Sequence, residues 1–274
     1  MLVTLLLASR PANADPVYPL TVGPTGRYLV DQNGTPFLMA GESPQSMIGN
    51  LSLDEASVFF ADRVSHGFNT VLIDLLCAAY TGCRGDGTTL DGIAPFLATL
   101  GDPTPNGTTA WDLTTPNPAY FARADAIVQL AAQYGLLVLF DPIETGSWLE
   151  VLQVNGTARA RAFGQFVGDR YRSQPNIVWF HGNDYGPPHA DLSQANDDLV
   201  TAVALGIRDV DASHLHTVLF NTNTNLPPVL STDDTRWLPI IGLNAVYTYQ
   251  AATKPYSPPP LGRRASLRMR SSGL

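Results

Sequence analysis

Short apolar runs alternate with segments of helical period from residue 69 to residue 249, and this alternation constrains the fold more than any other feature. Asn69 to Leu76, Leu136 to Phe140, Asn176 to Phe180, Leu215 to Phe220 and Ile240 to Tyr249 are apolar stretches one strand long. Runs without polar alternation suit parallel strands covered on both faces. Helical patterns lie between them. Ser52 and Glu55 form a capping box for a helix in which Phe59, Phe60 and Val64 share a face, with Gly67 as its stop. Asn117 caps the next helix, Pro118 takes its first turn, Phe121, Ala124, Val128 and Ala131 make one stripe, and Gly135 ends it. Thr157 to Arg170 carries Phe163, Phe166 and Val167 on one side, and Leu192, Ala195, Leu199, Val203, Ile207 and Val210 recur at helical spacing. Ahead of these, residues 16–40 read as a β-hairpin turning at Asn33-Gly34. The order predicts a parallel α/β fold, which a barrel and an open doubly wound sheet both satisfy. No Gly-x-Gly-x-x-Gly follows the first strand and no P-loop is present, which weighs against the nucleotide-binding sheets.

Polar residues gather just past the strands: Glu42, Asp74, Asp141, Glu144, Asp184, Asn221 and Tyr249. A barrel builds its active site there. The densest group is Trp179 to Tyr185, which contains Asn183 and Asp184. An Asn-carboxylate pair at the end of a fourth strand suits retaining sugar hydrolysis: the acid protonates the leaving oxygen, then as carboxylate activates water. Asn183 can bind a sugar hydroxyl beside the reacting carbon. The plainer reading of Asp184 is a turn residue, since Asp is common in turns. Asp74 sits within an apolar strand, where an isolated charge is costly, so it faces the mouth or pairs with a buried base. Glu42, Asp141, Glu144 and Tyr249 are read as sugar-binding candidates, each with a structural role as the alternative. Trp148, Tyr185, Tyr247 and Tyr249 are aromatics that stack on sugars or simply pack. His181, His189, His214 and His216 show no metal-binding spacing, so neither a metal nor another cofactor is expected. Gly-x-Ser-x-Gly is absent as well. The long segment 78–117, rich in Gly, Thr, Asp and Pro, follows a strand and on a barrel would lie at the mouth.

The net charge of −8 argues against a nucleic-acid partner. Residues 1–14, an apolar run followed by Ala12-Asn13-Ala14, read as a secretory signal, with a buried N-terminal strand as the alternative. The run is too short to span a membrane, and no other segment could. A secreted or periplasmic location and a monomer are therefore expected. That compartment permits a Cys77–Cys83 disulfide, two unpaired thiols being the other reading. Residues 251–274 differ from the rest: they hold five of the 16 Lys and Arg and no acid, leaving 11 basic against 24 acidic groups before them, a balance of −13. They show no amphipathic period and are read as an aberrant basic tail, by preference a shifted frame, otherwise a basic surface tail.

Several segments together resemble the apiosidase-like glycoside hydrolases, also described as collagenase-associated domains. Gly26 to Asp31, Gly34 to Phe37, Ala40 to Ser43, His66 to Val71, Pro116 to Phe121, Gly135 to Val138, and Arg170-Tyr171 followed by Asn176 to Trp179 match that pattern in order, over roughly residues 18–250. The resemblance implies a (β/α)8 barrel of the TIM type in residues 15–250, a carbohydrate substrate, and a retaining two-carboxylate mechanism. It implies that Asp184, in Gly182-Asn183-Asp184, is the acid/base. It also implies a Glu nucleophile near the end of the seventh strand. The last Glu here is Glu150. An incomplete barrel of about six βα units, its last two strands missing and its catalysis impaired, is therefore expected; a non-catalytic carbohydrate-binding protein or a non-functional gene fragment is the alternative.

Overall fold

The computed structural model describes residues 15–77, 79–105, 107–185, 194–221, 230–248 and 265–270. The signal-like residues 1–14 lie outside the described residues. The chain opens with three short antiparallel strands, β1 (Thr21–Val22), β2 (Leu29–Val30) and β3 (Pro36–Phe37). The expected hairpin is β2–β3. Its turn closes because the Asp31 carboxylate accepts the amides of Asn33 and Thr35 at 2.9 and 2.8 Å, while Gly34 takes φ +78°.

There follow β4 (Gly41–Glu42), α1 (Met47–Asn50), α2 (Leu53–Ser65), β5 (Thr70–Asp74), α3 (Pro118–Gln133), β6 (Leu137–Asp141), α4 (Thr145–Tyr171), β7 (Ile177–Tyr185), α5 (Gln194–Val210), β8 (His216–Phe220), β9 (Leu243–Thr248) and β10 (Ala265–Arg270). Strands β4 to β8 form one parallel sheet in sequence order. Strand β9 continues it. Gly242 N donates to His216 O at 2.9 Å. The Ser231 hydroxyl then fills the gap between the two strands, accepting from Ala245 N at 2.8 Å and donating to Val218 O at 2.5 Å.

Strands β5 to β8 bury both faces. Val71, Ile73, Val138, Phe140, Trp179, Val218 and Phe220 join the helix residues Phe60, Phe121, Val128, Phe163, Val203 and Ile207 in the larger apolar cluster. The alternate residues Leu72, Leu137, Leu139, Val178, Phe180, Leu219, Leu243 and Ala245 form a second cluster with Leu20 and Leu29. The N-terminal strands thus close one end of the inner layer, and the Tyr18 hydroxyl, donating to Gly135 O at 2.9 Å just ahead of β6, fixes which end. The opposite, C-terminal strand ends form the mouth. This is a parallel α/β sheet of the TIM-barrel kind.

Two expectations are corrected. The tail, read as an aberrant segment without amphipathic period, contributes a strand: Ala265 to Arg270 form β10, paired parallel to β9 from Ala265↔Leu243 to Arg270↔Thr248. One of the two strands expected to be missing is therefore supplied, and seven parallel strands are described. The segment Ala-Ser-Leu-Arg-Met-Arg alternates with period two, so Ala265 and Leu267 fall in the rows of Leu243 and Ala245. The helix expected over 157–170 begins instead at Thr145, with Gly156 (φ +70°) interrupting it. Its earlier half is held by Trp148, Val151 and Leu152 in the core.

Candidate active site

Strand parity sorts the carboxylates. Asp74 and Asp141 end β5 and β6, pair with each other in register, and continue the inner rows of Leu72 and Leu139. Both are fully buried. Leu75 N donates to Asp141 O at 2.8 Å, and the Tyr120 hydroxyl donates to Leu75 O at 2.7 Å, so the ends of both strands are pinned. Burial and the charge of Asp74 push the Tyr120 phenol up.

Asp141 Oδ1 accepts from Ile143 N at 3.0 Å. Burial, reinforced by the charge of Glu144, raises its carboxyl well above the usual range and favours the neutral acid. A neutral acid can donate a hydrogen bond as well as accept one. Glu144 caps α4. Its carboxylate accepts the amide of Gly146 and, at 3.1 Å, that of Ser147, where the helix dipole favours negative charge. Glu144 also bridges Gly182 through the backbone, and the Thr145 hydroxyl donates to Gly182 O at 2.6 Å. The α4 N-terminus is thereby tied to the end of β7.

The end of β7 is irregular. Its register with β8 shifts between His181 and Tyr185, and Asn183 takes φ +32°, unusual for a residue with a side chain. Bulges and left-handed residues of this sort re-aim side chains beside functional sites. Asn183 is 3% exposed, and its amide donates to the Tyr80 hydroxyl at 3.3 Å. Asp184 is the next residue of the same strand end; its side chain lies outside what the structure describes.

Asp74, Asp141, Glu144 and Asn183 therefore converge, with the backbone of Asp184 beside them. Glu42 does not join them. It shares a row with Val71 on the helix-facing side, where its Oε2 lies 2.9 Å from Arg63 Nε of α2. Tyr249 and His189 lie outside the described residues. Trp148 is packing: its indole is buried and donates to Cys77 O at 3.0 Å. His181 and His216 also face the helices. They bond each other at 2.9 Å beneath Trp237, while His214 bonds Asp211 at 2.6 Å.

The expected disulfide joins Cys77 to Cys83, with Cα atoms 5.9 Å apart. It closes a turn of 3-10 helix, Ala79–Thr81, against the first turn of α4. That turn carries Tyr80, a residue the sequence reasoning missed. The signal was an aromatic enclosed between two cysteines directly after a strand.

The sequence matches the family model described as "Apiosidase-like, catalytic domain" over residues 24–257. Among solved structures, a glycoside hydrolase family 5 protein from Bacteroides vulgatus ATCC 8482 superposes with a TM-score of 0.64 at 24% identity, over 82% of this chain and 44% of that one. A second protein, described as a glycoside hydrolase, gives 0.63 at 24% identity, over 82% and 45%. The chain thus spans less than half the length of these structures. At that identity the likeness speaks for the fold. No curated protein matches the sequence. With the family model covering most of the chain and a parallel α/β sheet of the TIM-barrel kind beneath it, this chain belongs to the apiosidase-like catalytic domain family, a glycoside hydrolase-like domain.

Proposed function

We propose that the chain is a secreted or periplasmic carbohydrate-active domain whose site recognises a sugar of plant or bacterial polysaccharide, pectic side chains bearing apiose being the class the family suggests. The observation that carries this is the convergence of Asp74, Asp141, Glu144 and Asn183 on the mouth of a parallel barrel in a chain of this family. The Cys77–Cys83 bridge supports an oxidising compartment.

Asp184 is the general acid/base in this reading. As the acid it protonates the leaving glycosidic oxygen; as carboxylate it then takes a proton from water. Asn183 binds the hydroxyl next to the reacting carbon. Asp141, held neutral, donates to a sugar oxygen, and Glu144 and Asp74 accept from hydroxyls.

A retaining mechanism also needs a second carboxylate about 5–5.5 Å from the first. The family pattern puts it on a Glu at the end of the seventh strand. Here the seventh parallel strand ends in Arg268-Met269-Arg270 and carries no Glu of its own. That observation favours a second reading in which these 274 residues bind sugar with little or no turnover. The test is glycoside hydrolysis by the purified 274-residue polypeptide beside a form whose last strands carry the Glu. The expected result is turnover in the second form alone. There, Asp184→Asn should abolish turnover of substrates with poor leaving groups and spare the first step on activated aryl glycosides. Equal turnover by both forms would refute the missing-nucleophile argument and direct the search to Glu144.

A further inference from the structure

The site described so far has carboxylates and an amide but no apolar wall, and sugar recognition ordinarily needs a face for the ring's C–H groups. Tyr80 supplies the geometry for one. It sits on the turn closed by Cys77–Cys83, directly beyond the strand that ends in Asp74. Three contacts fix that turn: the disulfide itself, the Trp148 indole on Cys77 O at 3.0 Å, and Ala79 N on Ser147 Oγ at 3.1 Å. The Tyr80 ring lies on Gly146. A Cβ there would come within 2.5 Å of Tyr80 Cε1 and 2.6 Å of Glu144 Oε1, so the glycine lets the ring approach the capping carboxylate. The hydroxyl accepts from Asn183 Nδ2 at 3.3 Å. Yet Tyr80 is 54% exposed. The tyrosine is thus bonded at its tip, backed on one edge and open over half its surface.

Resting on the carbohydrate reading above, we propose that Tyr80 is the sugar-contacting wall of the site and that the Cys77–Cys83 bridge is a positioning device that holds it beside Asn183. The open face of the ring takes the apolar side of a pyranose or furanose ring. The hydroxyl, by accepting from Asn183 Nδ2, turns the amide so that its oxygen is left for a sugar hydroxyl. The carboxylates then read the remaining hydroxyls.

The experiment is calorimetric titration of the 274-residue chain with apiose-bearing oligosaccharides released from pectin, with thermal melts of every variant. Tyr80→Ala should weaken binding about tenfold, on the order of one aromatic contact, and should leave the melting midpoint near that of the parent, since the residue is exposed. Tyr80→Phe should restore affinity to within about threefold, because the ring is kept. Cys77→Ala/Cys83→Ala should weaken binding by a factor similar to Tyr80→Ala while Tyr80 is still present. If the double variant fails to fold, the two Tyr80 variants decide the matter alone. Binding by the parent that is unchanged in Tyr80→Ala overturns this inference and leaves the carbohydrate reading standing. Absence of binding by the folded parent overturns both.

Discussion

Helices α4 and α5 cross with their backbones in contact, and one methyl group tests that arrangement. A Cβ on Gly206 would lie 2.2 Å from Arg161 O and 3.0 Å from Gln165 N. A Cβ on Gly164 would lie 2.2 Å from Val203 O, and one on Gly168 would lie 2.9 Å from Ile207 Cα. These are mostly main-chain atoms, which cannot swing aside. Arg161 and Gln165 also clamp the crossing through Asp209, at 2.8 to 2.9 Å. For Gly206→Ala the helices must part by roughly 1 Å to restore an ordinary carbon–oxygen contact, and overpacking of this kind costs about 1–3 kcal/mol. Parting also loosens Ala160, Val203 and Ile207 in the core. Against this, Ala is favoured over Gly within a helix by about 1 kcal/mol. The net expectation is a loss of about 0–2 kcal/mol, or a fall in melting midpoint of about 2–4 °C for each kcal/mol. Urea unfolding of the parent, Gly164→Ala, Gly206→Ala and the double variant measures it. The double variant should lose less than the two single losses combined, because one separation relieves both clashes. A Gly206→Ala stabilised by about 1 kcal/mol, as in an isolated helix, would refute the close crossing; strict additivity would refute the shared strain.

The remaining expectations concern titration and the disulfide. Asp141 has its folded pKa raised above the unfolded value of about 3.9, so its favourable contribution is complete below that pH and is lost as pH rises toward the raised value, at up to about 1.4 kcal/mol per pH unit. Asp141→Asn, which mimics the neutral acid, should therefore be more stable than the parent at pH 7 and nearly equal at pH 4 by urea midpoint; equal behaviour at both pH values would count against the raised pKa. Burial pushes His216 down to about 3 and His181 well below its usual range, so the contribution of this pair is present above about pH 6.5 and declines as pH falls, by up to about 1.4 kcal/mol per pH unit for each ring. Imidazole NMR should show neither ring titrating between pH 7 and 5, and a midpoint near 6.5 would contradict their burial as a neutral pair. Replacing Cys77 and Cys83 with Ser should cost about 2 kcal/mol for so short a loop, read as a lower urea midpoint; no change would mean that the bridge does not constrain the unfolded chain.

What the sequence revealed was local chemistry. The Ser52–Glu55 capping box, the Asn117 cap with Pro118, and the positive φ of Gly67 and Gly135 stand where expected because each depends on a few adjacent residues. The sequence puts Asp141 at the end of its apolar run, and it does end β6, whereas it puts Asp74 inside the run Asn69 to Leu76 and the strand stops at it. Faces were harder. Val64 was grouped with Phe60, yet it is 39% exposed, because the buried stripe of α2 narrows to Ala56 and Phe60 where α3 meets it. Glu42 was taken for a mouth residue, but a two-residue strand gives no period from which to read a face, and its pairing with Val71 turns it toward Arg63. The early start of α4 was hidden by Gly146 and Gly156 and by a Glu in the cap position, where Ser, Thr, Asp and Asn are the usual signals. Gly164, Gly168 and Gly206 read as neutral or unfavourable in helices until the partner helix is in place. Tyr80 sits between the two cysteines, but its neighbours Gly146 and Asn183 come from the α4 N-terminus and the end of β7, both far from it in sequence.

The tail shows why fold and chemistry separate in such a domain. A parallel edge strand such as β9 offers a row of unpaired N–H and C=O groups, and pairing with it asks only for an extended backbone of matching length. Alternation then decides register, because a slip of one residue would send the apolar set to the other face. Ala265, Leu267 and Met269 meet that condition against Leu243, Ala245 and Tyr247 despite a composition unlike the rest of the chain. Composition was therefore a poor guide to whether the segment could pair, and period two was the relevant signal. The proposed retaining reaction is stricter. It asks for one carboxyl group at one row of that strand, within a few tenths of an ångström of its working position. A segment ending in Arg268-Met269-Arg270 satisfies the hydrogen-bond ladder and leaves that row without a carboxylate. The hydrogen-bond ladder of the sheet thus accepts a segment that could not serve as the nucleophile strand of the proposed retaining reaction.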